Sequence, residues 1–223
     1  MWWLLLAFQA SAFASPALSP VPEPWTPPAP LVERVRRLIP PKAPALLRLR
    51  LLHRHLVSKR GLGIRRDSGW SGTSSEVLRA RRADCVGFAY LYVGLARPLG
   101  LDVGFAVSRA VADARTRAAR LKGLQVREAH IVATFEDRRG DLWIIDQGGL
   151  RRASSRSPHE LTDYEAAELL LSNRIARALE RGDCDAALQY GALGAGKLPT
   201  VAGNLPRVLE RFCRRDKPAF WTN

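Results

Sequence analysis

Apolar positions recur along the chain in two periods, one helical and one of strand type, and they mark out a series of elements. The most continuous apolar run starts at Val86 and stops at Gly100. Within it Val86, Ala89, Tyr90, Val93 and Ala96 fall at helical spacing, which predicts one face of a buried helix ended by Pro98 and Gly100. Upstream, leucines mixed with arginines predict helices over 31–39 and 43–58, parted by Pro40-Pro41. Gly61-Leu62-Gly63 and the stretch 67–72 read as loops, and Thr73 or Ser74 caps a short helix to about residue 82. Downstream, Val103, Phe105 and Val107 alternate with smaller or polar residues, the mark of a strand over 101–108. Residues 109–121 are rich in Ala and Arg and fit either a helix or a mobile excursion. Two β-rich runs, 129–135 and 142–146, flank a charged, glycine-bearing turn and predict a hairpin.

Past Gly148-Gly149 the pattern turns helical. Residues 151–157 read as a polar linker, and Ser157-Pro158-His159-Glu160 has the form of a capping box. A long helix over about 162–181 ends at Gly182, Asp183 caps another to about residue 191, and a last one covers 205–214.

Chemistry is concentrated in Asp84-Cys85-Val86-Gly87-Phe88. Cys85 stands at the start of the predicted helix, where unsatisfied N–H groups and the helix dipole favour a thiolate. His130 opens the first strand of the hairpin and Asp146 closes the second, so antiparallel pairing brings them together across sixteen positions. Cys85 as nucleophile, His130 as base and Asp146 as the group orienting the base make up the set needed for acyl transfer through a thiol. The backbone N–H of Cys85 is one oxyanion donor. For a second, the Trp70 indole is a candidate, against the plainer reading of a Trp that anchors its loop. His53 and His55 read as surface or satisfied histidines, because no metal-ligand partner stands at helical spacing from them. No cofactor or metal is expected.

At Asp84-Cys85-x-x-Phe88-Ala89 running into Leu95-Ala96-x-x-Leu99-Gly100-Leu101, then Ala129-His130-Ile131-Val132, then Leu142-Trp143-Ile144-Ile145-Asp146, the chain resembles the transglutaminase-like superfamily. The fold of that superfamily belongs with the papain-type cysteine proteases. The resemblance covers about residues 70–150. It implies an α+β papain/transglutaminase-like core, with the Cys-bearing helix packed on an antiparallel sheet that carries the His and Asp, followed here by a C-terminal helical extension. It also implies an enzyme acting on amide bonds, by peptide hydrolysis or acyl transfer through a Cys thioester. The chain departs from the family pattern at Asp84, where many relatives have Gly, and in the length of 109–127. The start of the motif is also similar to that of NlpC-type cell-wall peptidases, but His130 follows Ala129 rather than Gly and the third member reads as Asp. A reading of another class is a non-catalytic envelope-binding module with a vestigial triad.

Composition adds less. With 47% apolar and 25% charged residues in 223, the chain is an ordinary globular one, large enough for a substantial core. A net charge of +14 suits either an anionic partner or a solvated basic surface, and charge runs usually face water. No basic stripe interleaved with aromatics points to nucleic acid. Residues 1–15 combine a short apolar run with Ala12-Phe13-Ala14, a small-x-small site, and read as a signal peptide despite the lack of a leading Lys or Arg. The run is too short to span a bilayer. The expected order is therefore a signal peptide (1–15), a Pro-rich linker (16–30), the enzyme domain (31–152) and the helical extension (153–223), exported to the periplasm or the outside. The partner expected is a protein or peptide substrate. Of the three cysteines, Cys184 and Cys213 fall at neighbouring ends of an antiparallel helix pair and can be joined, which leaves Cys85 as the odd thiol.

Overall fold

The computed structural model describes residues 23–108, 119–121, 124–126, 130–153, 158–195 and 205–215. The expected signal peptide lies outside them. Among the described residues the protein is a mixed α+β fold with seven helices and a five-stranded antiparallel sheet. The helices are α1 (Ala29–Leu38), α2 (Ala45–Val57), α3 (Ser74–Ala80), α4 (Cys85–Ala96), α5 (Asp163–Glu180), α6 (Cys184–Ala195) and α7 (Leu205–Arg215).

The main sheet contains β3 (Gly104–Val107), β6 (Ile131–Glu136), β7 (Leu142–Asp146), β8 (Gly149–Arg152) and β9 (His159–Leu161), in the order β8-β7-β6-β3-β9. Two small ladders lie apart from it. In one, β1 (Arg65–Arg66) runs parallel to β2 (Arg82–Ala83); in the other, β4 (Ala119–Leu121) pairs with β5 (Leu124–Val126). Within the excursion read from 109 to 121, the described residues 119–121 are thus strand and not helix.

Strand alternation sorts the sheet into two faces. Phe105, Ile131, Ala133, Phe135 and Ile145 join the main core, while Ala106, Val132 and Ile144 form a small cluster of their own. Against the main-core face lies α4. It differs from the expectation of one buried face, because every residue from Val86 to Ala96 is buried. The reason is what surrounds it. Tyr92 donates from its hydroxyl to the Leu49 carbonyl on α2 at 2.8 Å, and Tyr90 donates to the Ala166 carbonyl on α5. Such buried hydroxyls are stable only because each has found an acceptor.

The reading of 16–30 as an unpacked spacer is corrected over its described part. Trp25 is buried, with its ring 6.0 Å from that of Tyr90 and 5.6 Å from that of Phe105. Ser74 donates to its carbonyl at 2.9 Å. Gly94 lets this backbone cross α4, since a Cβ at residue 94 would overlap the Trp25 carbonyl. Proline stiffens the segment, but a single Trp supplies enough apolar area to dock it.

A second correction concerns residues 151–162. Residues 151 and 152 continue β8, and His159–Leu161 is the edge strand β9, paired with β3 through Val107–His159 and Phe105–Leu161. The capping box belongs instead to Thr162 and Glu165: Thr162 accepts from the Glu165 N–H, and the Glu165 carboxylate accepts from the Thr162 N–H at 2.8 Å. Helix α5 then joins two cores. Ala166 and Leu170 lie in the main one, whereas Ile175, Ala178 and Leu179 pack with Ala187, Leu209 and Cys213 of the following helices. The helical extension expected from residue 153 therefore separates, in packing terms, only midway along α5. Arg97 fixes the start of α5 by a two-pronged ion pair with Asp163, at 2.6 and 2.8 Å. Cys184 and Cys213 are disulfide-bonded, with Cα atoms 5.6 Å apart. No described helix is long and apolar enough to cross a membrane.

Candidate active site

Cys85 is the first residue of α4, and Asp84 is its N-cap. The Asp84 carboxylate accepts from the Gly87 N–H at 2.8 Å and from the Ser71 hydroxyl, while its own N–H donates to the Trp70 carbonyl at 3.1 Å. These bonds fix the first turn of the helix, and with it the origin of the Cys85 side chain.

The start of α4 lies against the start of β6. The Cys85 thiol, half-buried, faces the N–H of Ile131 as well as those of Val86 and Cys85 itself, and these donors favour the thiolate. Burial opposes them and is the larger influence, followed by the negative charge of Asp84; the thiol is pushed up to about 11. This corrects the expectation of a depressed thiol. The helix terminus supplies the donors foreseen for it, but the same capping site carries a carboxylate in a water-poor pocket.

His130 immediately precedes β6, and its carbonyl accepts from the Ser108 N–H at 2.9 Å, which pins it to the end of β3. Asp146 is the last residue of β7. The pairing of Ala133 with Ile145 leaves both side chains just beyond the ladder at the same end of the sheet. There His130 Nε2 stands 3.7 Å from Asp146 Oδ2, an ion-pair approach longer than a hydrogen bond. Asp146 Oδ1 accepts from the Gly148 N–H at 2.7 Å. The facing His130 ring holds the Asp146 carboxyl below its ordinary range, helped by the Gly148 N–H and by the Arg151 guanidinium, against burial. The three residues expected to act together thus lie at one end of the sheet: His130 and Asp146 face each other, and Cys85 meets the residue that follows His130.

Two contacts had no signal in the sequence. Gln147 donates from Nε2 to the Ala83 carbonyl at 3.2 Å, which ties the end of β7 to the segment leading into Cys85. His53 Nε2 lies 2.9 Å from the Asp146 carbonyl. A carbonyl only accepts, so that nitrogen carries the proton. His53 is a satisfied histidine, as expected of it, but its partner is the backbone of the orienting residue. Trp70 is a packed ring, with the Arg82 guanidinium 5.3 Å from its centroid and no room for a Cβ at Gly72 beside it. This fits the loop-anchoring reading rather than that of an oxyanion donor.

No family model, curated protein or solved structure matches the chain.

Proposed function

We propose that the protein is an exported cysteine enzyme of transglutaminase-like, papain type that acts on amide bonds through a Cys85 thioester. The observation that carries the reading is the approach of His130 Nε2 to Asp146 Oδ2, 3.7 Å, at the end of the sheet that meets the start of α4. With Nε2 turned to the carboxylate, Nδ1 is the nitrogen left to take the thiol proton. The sulfur then attacks the amide carbon, and the negative charge on the former carbonyl oxygen is met by the Cys85 N–H. The imidazolium, steadied by Asp146, returns its proton to the departing amine. Water or a second amine gives up a proton to His130 and resolves the thioester, which restores the thiol. The small-x-small site at 12–14 and the Cys184–Cys213 bond suit an oxidising compartment.

The test is alkylation of Cys85 by iodoacetamide at neutral pH in the folded protein. With the thiol raised by burial, labelling should depend on His130 taking the proton, and His130→Ala should slow it by about 100-fold or more, the usual size of a general-base contribution. The elevated thiol and the carboxylate of Asp84 beside it favour a second reading, the non-catalytic envelope-binding module. In that case labelling is slow and indifferent to residue 130.

A further inference from the structure

Cations stand at the end of β7 and on the short ladder that leads into Cys85. The first is Arg151. In the β7–β8 ladder Asp146 pairs with Gly149 and Ile144 with Arg151, which makes Arg151 the diagonal neighbour of Asp146 on the same face. Its Nη2 lies 4.0 Å from Asp146 Oδ2, the oxygen that faces His130, and 44% of the side chain is exposed. The short ladder leading into Cys85 is held to the end of β7 by Gln147. Arg66 is paired with Ala83 and Arg65 with Arg82, and all three arginines are exposed. Among the described residues of this ladder and its exit, Asp67 is bound to Arg82 at 3.0 Å, and Asp84 is buried and turned into the fold. The negative charge of Asp84 still reaches the thiol, so the cation set against the reacting groups is Arg151, beside the carboxylate that faces His130.

We propose that this site selects amide substrates that carry a carboxylate beside the reacting carbonyl, with Arg151 receiving that carboxylate. The proposal rests on the catalytic reading above. A guanidinium meets a carboxylate through two parallel N–H donors, which fixes orientation as well as charge. Arg151 is already within ion-pair distance of Asp146 across a long contact, and an incoming carboxylate offers it a shorter one.

The test compares two alkylating reagents on the full-length protein. Iodoacetate and iodoacetamide share a leaving group and a reaction at sulfur, but only iodoacetate is anionic. Their rate ratio at Cys85, divided by the ratio for a small neutral thiol, cancels the nucleophilicity of the sulfur and reads the local charge. The expected ratio is up to about five-fold above the reference at low salt, the scale of an exposed ion pair. It should fall as salt is raised. Arg151→Gln should bring it down, whereas Arg139→Gln, the same loss of charge on the hairpin turn at the far end of β6, should not. A ratio equal to the reference, or an equal effect of both substitutions, overturns the proposal. The catalytic reading fails separately, through labelling that ignores His130; a raised, Arg151-dependent ratio in that case leaves an anion-selective site without catalysis.

Discussion

His53 Nε2 donates to the carbonyl of Asp146 at 2.9 Å, so a helix ninety-three residues upstream holds the backbone of the residue that orients the base. The ring of His53 in turn packs on Phe88 of α4, with centroids 5.8 Å apart. One imidazole thereby couples α2, the nucleophile's helix and the end of β7.

His53→Ala is expected to cost about 1 kcal/mol of stability, the net worth of one such bond. It should also slow Cys85 alkylation by loosening the register of Asp146 against His130. His53→Gln, which keeps an N–H donor, should restore part of the rate. Thermal melts and alkylation kinetics on the same samples separate the two effects. An unchanged rate alongside lowered stability would make His53 a purely structural tie.

Burial, and after it the charge of Asp84, sets the pH behaviour of the thiol. Cys85 has an ordinary value of 9.0 and stands at about 11 in the fold. A raised folded value means that the native state keeps a proton which the unfolded chain gives up. The associated stability is complete below 9.0 and is lost as pH rises through the window to about 11. Asp84→Asn retains an oxygen to accept from Gly87 N–H and removes the charge. In a His130→Ala background, where no base assists, the alkylation profile should move to lower pH in Asp84→Asn, and the alkaline loss of stability should shrink. A profile that does not move would show that burial alone holds the thiol up.

Gly94 tests the docking of the N-terminal segment. Gly94→Ala places a methyl group on the Trp25 carbonyl, and overpacking of this kind costs about 1–3 kcal/mol. Trp25 fluorescence cannot report this alone among six tryptophans. Limited proteolysis near residues 23–28 serves better, with faster cleavage expected in Gly94→Ala. Equal cleavage rates would mean that the segment is held by its ring contacts and can shift past α4.

The candidate site was largely legible in the order of the chain. The apolar run after Cys85 foretold α4, and the two β-rich runs with a charged turn foretold the β6–β7 hairpin that brings His130 to Asp146. Both depend on interactions between residues close in sequence, which local pattern records. The strand at His159–Leu161 was not legible. Its first two residues close the Ser157–Glu160 stretch that has the form of a capping box, and only pairing with Val107, Ala106 and Phe105 makes His159–Leu161 a strand. The pull of Asp84 on the thiol was hidden for a related reason: a Cys at a helix start looks activated until the burial of its neighbour is known.

By itself the sequence determined most of the periodic elements, the caps of α3 and α6 and the side chains available for chemistry, because backbone propensity and hydrophobic period act over a few residues. The tertiary structure decided how dry the thiol is, which backbone group His53 holds, and how Trp25 and α5 close over α4. These depend on burial and on contacts between segments far apart in the chain, and no local pattern encodes the low-dielectric surroundings that those contacts create.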